Sequence, residues 1–342
     1  MGSDRPTGRG MVDAAHLVSG FRGYQMVVAA CELRLPDLVG AGPQLPDDLA
    51  AATQTHAPSL QRLLRGLAAW RFFIEHPDGR FGATPLSDEF RTDRPGLRNT
   101  ALMYSDDVYH AWAELLHSVR TGEPAYVHRY GVTHFERMSG DPAAAARFNA
   151  AMFETTTRIA GGFLRAFDFS GVRTVVDVGG GVGALLAAVL SANPDVRGVL
   201  FDLPQGLAGA QEKLQAEGLG GRVTLVQGDF FEAVPAGGDL YLLKSIVHDW
   251  DDERALAILK TCRRAAAPNA RLVLLERVLP ERIDDSAEAF QSAMTDLQMM
   301  VILGGRERRS REFADLLHRA GFKMTRVVPT TDMWNLVEAI TV

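Results

Sequence analysis

From about residue 172 onward, short runs of β-branched residues alternate with helical segments. This alternation limits the possible folds more than any other feature of the chain. The strand candidates are 174–178, 198–201, 223–227, 240–243 and 271–275, and the helical segments between them include 183–192, 208–217 and 253–267. Helical crossovers of this length predict a parallel, doubly wound α/β sheet. Two last strands, at 323–329 and 334–341, predict a C-terminal antiparallel hairpin, which departs from the pattern of dehydrogenases.

The first 165 residues instead show mainly helical periodicity. Helices are predicted over 11–38, 45–52, 59–73, 107–120 and 142–167, and a β-hairpin is predicted around the turn Asp78-Gly79. Helices followed by such a hairpin are typical of a winged helix. We therefore expect a winged-helix-like domain at 11–100, connecting helices at 101–168 and a sheet domain at 169–342.

Composition excludes several classes of protein. The net charge of −6 disfavours a nucleic-acid partner, and the candidate recognition helix at 59–73 carries only Arg62, Arg65 and Arg71 as basic residues. Two cysteines 231 residues apart, Cys31 and Cys262, predict neither a disulfide framework nor a structural metal site. Without a run of 18 apolar residues or a secretory signal, we expect no membrane partner and a cytoplasmic location.

A glycine-rich loop follows the first predicted strand of the sheet domain. Residues 176–183 read Val-Asp-Val-Gly-Gly-Gly-Val-Gly, so Gly179, Gly181 and Gly183 form GxGxG, which is tighter than the dinucleotide fingerprint GxGxxG. Glycines at this point let the backbone approach a ligand, and the helix start supplies N–H donors. The alternative is a tight strand-to-helix turn without a ligand.

Acidic residues end the next two predicted strands. Asp202 lies about 20 residues beyond the glycines, where a carboxylate can accept both ribose hydroxyls, and Asp229-Phe230 can bind an exocyclic amine and cover a base. Each acid could instead serve only as a loop or helix-cap residue. Together with Asp177 they make a negative edge, which suits a cationic adenosyl compound such as S-adenosylmethionine (SAM) better than a pyrophosphate.

The segment after the fourth strand carries a histidine. Asp251 and Asp252 are explained by capping of the helix that follows, but capping does not explain His248. The loop opens at the carboxyl ends of the strands, where ligands bind in such sheets. His248 is therefore a candidate catalytic residue rather than an ordinary structural histidine.

These motifs, in this order, resemble the plant-type small-molecule O-methyltransferase family, including its bacterial branch of secondary metabolism and antibiotic biosynthesis. The matching segments are 177–183, Phe-Asp-Leu-Pro at 201–204, Gly-Asp-Phe-Phe at 228–231, Lys244, His-Asp-Trp at 248–250, Leu-Leu-Glu at 274–276 and Gly-Gly-Arg-Glu-Arg at 304–308. Upstream segments at 62–68, 84–87, 111–122 and 147–149 extend the resemblance over nearly the whole chain from about residue 12.

The resemblance implies a Rossmann-like class I methyltransferase sheet and an N-terminal domain that forms a homodimer and covers the acceptor. It implies that His248 is the general base, flanked by Glu276 and Glu307. The implied SAM contacts are Gly179, Gly181, Gly183, Asp202, Asp229, Phe230 and Lys244, and the implied acceptor contacts are Phe148, Met152, Asp249 and Met299. SAM is then the cofactor, S-adenosylhomocysteine the product, and no metal is required.

The implied reaction is methyl transfer to a hydroxyl of a small, aromatic natural-product intermediate. Four alternatives stay open at this point. Glu307 could form only a salt bridge within the Arg-rich segment at 306–309, and the methyl group could go to a nitrogen or a carbon instead of a hydroxyl. The bound SAM could serve chemistry other than methylation, and the winged helix could belong to a DNA-binding regulator.

Overall fold

The computed structural model describes residues 14–330 and 333–342. The predicted start of the first helix, at residues 11–13, lies outside the described residues, as do two residues of the last hairpin turn. The chain divides between Ser105 and Asp106 into two compact units. The finer division at residues 100 and 168 stays a prediction.

The first unit contains helices and one small hairpin. Its elements are α1 (Ala14–Glu32), α2 (Leu35–Gly40), α3 (Pro46–Thr53), α4 (Ala57–Ala69), β1 (Phe73–Glu75), β2 (Phe81–Ala83), α5 (Pro85–Asp88) and α6 (Arg98–Tyr104). Leucine and phenylalanine side chains from α2, α3, α4 and the hairpin form its core, including Leu49, Leu64 and Phe81. The strands pair antiparallel around Asp78-Gly79, as predicted.

The helical pattern predicted over 11–38 is interrupted in sequence by Gly20 and Gly23, but α1 continues through both glycines and the helix breaks only at Arg34. The backbone of Arg34 is left-handed, with φ of 53°, and separates α1 from α2. Pro36 lies in the first turn of α2, where its missing N–H costs no helical hydrogen bond. Inside a continuous helix the same proline would remove a hydrogen bond and clash with the preceding turn.

The second unit begins with helices and continues into the sheet. Its elements are α7 (Asp107–Trp112), α8 (Leu115–Thr121), α9 (Ala125–Tyr130), α10 (His134–Gly140), α11 (Pro142–Ala166), β3 (Thr174–Val178), α12 (Ala184–Ala192), β4 (Arg197–Asp202), α13 (Ala210–Ala216), β5 (Val223–Gln227), β6 (Leu240–Lys244), α14 (Asp252–Ala265), β7 (Arg271–Glu276), β8 (Val278–Leu279), α15 (Ala287–Ile302), β9 (Arg308–Arg309), α16 (Ser310–Arg319), β10 (Phe322–Pro329) and β11 (Asn335–Thr341). The helix predicted over 107–120 is two helices, since the N–H groups of Ala113 and Glu114 bond three residues back instead of four.

The main sheet has the strand order β10-β11-β7-β6-β3-β4-β5. The five strands β7, β6, β3, β4 and β5 run parallel to one another. Strand β11 pairs antiparallel with both β7 and β10. The predicted Rossmann-like sheet with a terminal antiparallel hairpin is confirmed. Helices α11, α12 and α13 pack on one face, with α14 and α16 on the other, so both faces are covered by apolar side chains.

The strand order reverses beside β3, because β4 lies on one side of it and β6 on the other. Crossover connections therefore leave in opposite directions and open a crevice at the carboxyl ends of β3 and β6. In open α/β sheets this is where ligands bind.

Candidate active site

A cavity of about 810 Å³ opens at that crevice. The carboxyl ends of β3, β4, β5 and β6 form one side of it, and residues of α9, α10, α11 and the C-terminal end of α15 form the other. Such a volume is at the upper end for small-molecule sites, where about 300–1,000 Å³ is usual. The cavity therefore has space for two small ligands side by side.

The glycine loop brings main-chain atoms to the cavity surface. Gly179 has φ of 69°, and a Cβ atom at this position would lie 2.4 Å from Cδ1 of Ile246, so any other residue would be strained. The N–H of Gly181 donates to Oδ2 of Asp202 at 2.8 Å. Gly179 and Gly181 line the cavity, whereas Gly183 lies behind its wall, at the N-cap of α12.

Three carboxylates face the same part of the cavity: Asp177, Asp202 and Asp229. Burial raises the pKa of Asp202, against the N–H bonds from Gly181 and Leu203 that stabilise its charged form. Burial, together with the nearby charge of Asp202, raises the pKa of Asp177 to about 7. A cationic ligand would relieve this repulsion, so the wall is complementary to positive charge.

Aromatic rings close the cavity next to these acids. Phe230 and Phe231 meet Trp250 edge-on, and the guanidinium of Arg254 lies 4.4 Å from the Phe231 ring and 4.5 Å from the Trp250 ring. Arg254 and Phe231 line the cavity, and the sequence analysis had not identified them as site residues. No motif distinguishes Arg254 from the other arginines of α14.

Lys244 ends β6 inside the same crevice. Burial lowers the pKa of Lys244 to about 8, against the attraction of Glu276 and Asp249. Its Nζ lies 5.1 Å from the centre of the Trp334 ring. The ammonium group of Lys244 is thus held at the cavity, where it can donate a hydrogen bond to a ligand.

The helical side of the cavity is mainly apolar. Phe148 and Met152 of α11 line it, as expected, and the Phe148 ring meets His134 edge-on at 6.0 Å between centroids. Met299 does not line it: this side chain is buried within the fold, and Ile302 and Leu303 provide the wall at the end of α15.

His248 is held by acidic side chains. Its Nδ1 lies 2.8 Å from Oε1 of Glu307 and 3.5 Å from Oε2 of Glu276, while Nε2 lies 3.3 Å from Oδ1 of Asp249. Glu276 is fixed in turn, because its Oε1 accepts the N–H groups of Ile246 and Val247. The ring is thus oriented with Nδ1 toward the protein and Nε2 toward Asp249.

His248 itself does not form part of the cavity wall, and neither do the fully buried Glu276 and Glu307. Asp249, which does line the cavity, lies between it and Nε2. Burial raises the pKa of Asp249 to about 7, against the attraction of the His248 charge.

Opposing effects set the charge of this cluster. Burial disfavours a charged His248, but the carboxylates of Glu276 and Glu307 outweigh it and raise the pKa of His248 to about 10. Burial also raises the pKa of Glu276, against the attraction of the His248 charge. In the absence of ligands, the two glutamates therefore favour the charged imidazolium over the neutral ring.

The three residues His248, Glu276 and Glu307 each place one ligand atom within 4.8 Å of the others, a spacing that a metal ion also accepts. Nδ1 is at hydrogen-bond distance from Glu307, however, and Oε1 of Glu276 already accepts two N–H groups. Nδ1 of His248 and Oε1 of Glu307 are thus placed to share a proton, while Oε2 of Glu276 and Oε2 of Glu307 are buried without a hydrogen-bond partner.

The segment 304–308 holds Glu307 in position. A Cβ atom on Gly305 would lie 2.1 Å from the carbonyl oxygen of His248, so the close approach requires glycine. The N–H of Glu307 donates to Asp296, and Arg306 pairs with Glu312. Glu307 contacts His248 and not its arginine neighbours, so the alternative salt-bridge interpretation is wrong.

The interpretation of Asp251 and Asp252 as helix-start residues agrees with the structure. Asp251 accepts the N–H of Arg254 and is the N-cap of α14. Asp252 lies in the first turn of α14, where its charge favours the helix start, and it also pairs with the buried guanidinium of Arg308 at 2.8 Å. Sequence reasoning had assigned no role to Arg308.

Comparison with known families identifies the chain. A model of the O-methyltransferase domain matches residues 112–323, and a model of the O-methyltransferase dimerisation domain matches residues 15–93. The chain belongs to the O-methyltransferase family. The resemblance read from its motifs is confirmed.

Several relatives of this chain are similar over almost their full length. Phenazine O-methyltransferase PhzM of Lysobacter antibioticus is 40% identical, over 94% of both chains. O-demethylpuromycin-O-methyltransferase of Streptomyces alboniger is 42% identical, over 94% of this chain and 87% of the relative. 8-amino-8-demethylriboflavin N,N-dimethyltransferase of Streptomyces davaonensis is 36% identical, over 92% and 90%.

Solved structures of relatives agree with the fold of this chain. The crystal structure of LaPhzM has a TM-score of 0.90 at 39% identity, covering 96% of this chain and 98% of that one. NcsB1 of neocarzinostatin biosynthesis, solved with SAM and 2-hydroxy-5-methyl naphthoic acid, has a TM-score of 0.81 at 33% identity, covering 98% and 100%. The family uses SAM, which confirms the class of cofactor predicted from the sequence. Within the described residues, no helix is long and apolar enough to cross a membrane.

Proposed function

We propose that this enzyme transfers the methyl group of SAM to a hydroxyl of a small aromatic natural-product intermediate. The observation that carries the proposal is the placement of His248 between Glu276 and Glu307, next to a cavity that is acidic along the ends of β3, β4 and β5. Methyl transfer to a phenol needs a base, because a phenol with a pKa of about 10 is little ionised at neutral pH. An amine acceptor reacts through its own lone pair and needs no base before attack.

The acidic wall supports a place for SAM along the ends of β3, β4 and β5. In this arrangement Asp202 accepts the ribose hydroxyls, Asp229 accepts the adenine amine, and Phe230 covers the base. Gly179 and Gly181 present main-chain atoms to the cofactor, and Lys244 donates from β6. The negative carboxylates attract the positive sulfonium of SAM, whereas they would not attract an uncharged cofactor in this way.

His248 acts in this proposal as the general base through Nε2. Glu307 accepts from Nδ1 and fixes the tautomer, as a carboxylate does for the histidine of a catalytic triad. The acceptor hydroxyl takes the place of the Asp249 carboxylate at Nε2, and Asp249 then contacts the acceptor. General-base catalysis of this kind contributes about 10²–10⁴-fold.

The base must be neutral to accept a proton, although the His248 ring is charged without ligands. Two changes on binding lower its pKa: the sulfonium adds a positive charge nearby, and a neutral hydroxyl replaces Asp249 at Nε2. Phe148 and Met152 contact the aromatic part of the acceptor. Positioning of acceptor oxygen and methyl group in line supplies a further part of the rate.

The test is incubation of the purified enzyme with methyl-labelled SAM and paired acceptors that differ only in a phenolic hydroxyl or an aromatic amine. We expect labelled O-methyl product and equimolar S-adenosylhomocysteine. Methylation of the amines alone would replace the proposal by N-methylation, which the riboflavin-modifying relative carries out by name. Acceptor conversion without S-adenosylhomocysteine would indicate non-methylating use of SAM. The relatives reported above are methyltransferases and give no support to a DNA-binding regulator.

We also propose that the enzyme is a homodimer. The dimerisation-domain match covers α1, on which Leu17, Val18 and Phe21 are all more than half exposed. Apolar side chains in such a row are typical of surfaces that another chain covers. Sedimentation at micromolar concentration should give twice the mass of the chain, and a monomer would contradict the proposal. Charged substitutions at Val18 and Phe21 should shift the equilibrium toward monomer.

A further inference from the structure

Arg308 extends its side chain beneath the turn that carries His248. The side chain is 1% exposed, yet each of its N–H groups has an acceptor. Nε and Nη2 donate to Oδ1 of Asp252, Nη1 donates to the carbonyl oxygens of Val247 and Arg306, and Nη2 also donates to the carbonyl oxygen of Trp250. The distances to Asp252, Val247 and Trp250 are 2.8–2.9 Å.

Two of these acceptors flank the histidine in the chain. Val247 precedes His248, and Trp250 follows it by two residues, so the guanidinium joins both arms of the turn. The neighbouring residue, Glu307, contacts the ring of the same histidine. Glu307 therefore holds the ring of His248, and the next residue, Arg308, holds the backbone of the turn around it.

We propose that Arg308 is a positioning residue for His248, fixing the turn at 247–250 so that Nδ1 stays on Glu307 and Nε2 stays directed to the acceptor side. This inference rests on the proposed function, in which His248 is the base. Arg308 does not reach the cavity, so it acts through the turn and not by contact with substrate.

The shape of the guanidinium is what the turn requires. Arginine offers five N–H donors in a rigid plane, whereas lysine offers three around one atom and cannot reach both arms of the turn and Asp252 together. A buried charge costs free energy that an apolar side chain of similar size would not, so stability alone does not account for arginine here. Small displacements of a catalytic group reduce rates strongly, on the order of 10²-fold for 1 Å.

The first test compares Arg308→Lys with Arg311→Lys as a matched control. Arg311 lies on α16, and its exposed side chain pairs with Glu281 on the surface. We expect Arg308→Lys to lower kcat at least tenfold while the KM for the acceptor and the Kd for SAM stay within about threefold of wild type. Arg311→Lys should behave as wild type. Unchanged kcat in Arg308→Lys would overturn the proposal, and so would a parallel loss of kcat, SAM affinity and thermal stability, which marks a merely structural arginine.

A second variant covers the case in which Arg308→Lys does not fold. Asp252→Asn keeps Arg308 and its bonds to Val247 and Trp250 but weakens the anchor at the half-exposed carboxylate. We expect Asp252→Asn to lower kcat less than Arg308→Lys does, again without a change in SAM affinity.

A third variant, Arg308→Gly, tests rescue. In a folded Arg308→Gly variant, added guanidinium should restore part of the lost kcat. Wild-type kcat in Asp252→Asn together with no rescue of Arg308→Gly by guanidinium would refute the positioning role.

Nitrogen NMR of the His248 side chain separates this proposal from the proposed function. In the wild type, the Nδ1 signal should report a strong hydrogen bond to Glu307. Arg308→Lys should weaken this hydrogen bond even when no methyl-acceptor substrate is present. If His248→Gln keeps full turnover, the base assignment fails while the NMR effect of Arg308 persists. An unchanged Nδ1 signal in Arg308→Lys would overturn the positioning role alone.

Discussion

Nδ1 of His248 lies 2.8 Å from Oε1 of Glu307, although 59 residues separate them in the chain. The contact gives the ring one defined orientation and leaves Nε2 as the nitrogen that faces Asp249. When the ring is neutral, a carboxylate that accepts from Nδ1–H leaves the lone pair on Nε2. The pair is therefore the structural basis for assigning a proton-accepting role to Nε2.

Replacement of the histidine tests that role. His248→Gln should lower turnover at least tenfold and by up to about 10⁴-fold, because no group remains to take the hydroxyl proton. SAM affinity should be unchanged, since His248 does not line the cavity. Turnover is measured as S-adenosylhomocysteine formed and affinity by calorimetry, with the exposed His318→Gln as the control. Wild-type turnover in His248→Gln would refute the base assignment.

The pH dependence follows from the raised pKa of His248. With a pKa of about 10 in the ligand-free protein, the ring is charged at neutral pH and must lose its proton before it can act as a base. At saturating SAM and acceptor, kcat should therefore rise with pH and level off below pH 10, since bound sulfonium lowers the pKa. The rise should be absent in His248→Gln. A rate that is flat or falls between about pH 6 and 9 would contradict this sign.

The carboxylate at the end of β4 should control cofactor affinity. Asp202→Asn keeps the shape of the side chain but removes its charge and places an amide against the N–H of Gly181 or Leu203. We expect the Kd for SAM to rise at least tenfold, about 1.4 kcal/mol, measured by calorimetry. Asp195→Asn, at an exposed position of the same unit, is the control. Wild-type affinity in Asp202→Asn would remove this residue from the cofactor site.

Metal removal should leave the enzyme active. The electrophile is supplied by the sulfonium of SAM, and Nδ1 of His248 is at hydrogen-bond distance from Glu307. We expect unchanged kcat after dialysis against EDTA, whereas added Zn²⁺ should inhibit by competing with the proton for His248. Loss of activity on chelation, restored by one divalent metal, would instead make His248, Glu276 and Glu307 a metal site.

Local sequence was sufficient for the elements around the cofactor. The apolar, β-branched run at 174–178 and the glycines after it define β3 and its loop with little dependence on distant residues. The acids at the ends of later strands come to one edge because parallel strands share a carboxyl end. For the same reason the sequence predicts that Asp202 and Asp229 lie along one edge, whereas the family resemblance alone implied the contact from Lys244.

Positions that depend on helix rotation could not be assigned in this way. Met299 and Ile302 lie less than one turn apart on α15, yet only Ile302 reaches the cavity. One residue corresponds to about 100° around a helix, so packing against neighbouring helices decides which side chain faces a ligand. Likewise, the motif at 304–308 does not reveal the role of Arg308, because all its acceptors except the Arg306 carbonyl lie 56–61 residues away.

The sequence by itself determined the parallel sheet and the acidic edge that fits a cationic cofactor, because both depend on local pattern and on the rules of parallel sheets. It also determined the family, because the motifs follow one another along the chain in the order typical of that family. Only the tertiary structure decided that Glu307 contacts His248 and not its arginine neighbours, that Asp249 stands between the histidine and the cavity, and that Arg308 holds the turn. These contacts join segments far apart in the chain, and their geometry comes from how the β6, β7 and α15 ends pack together.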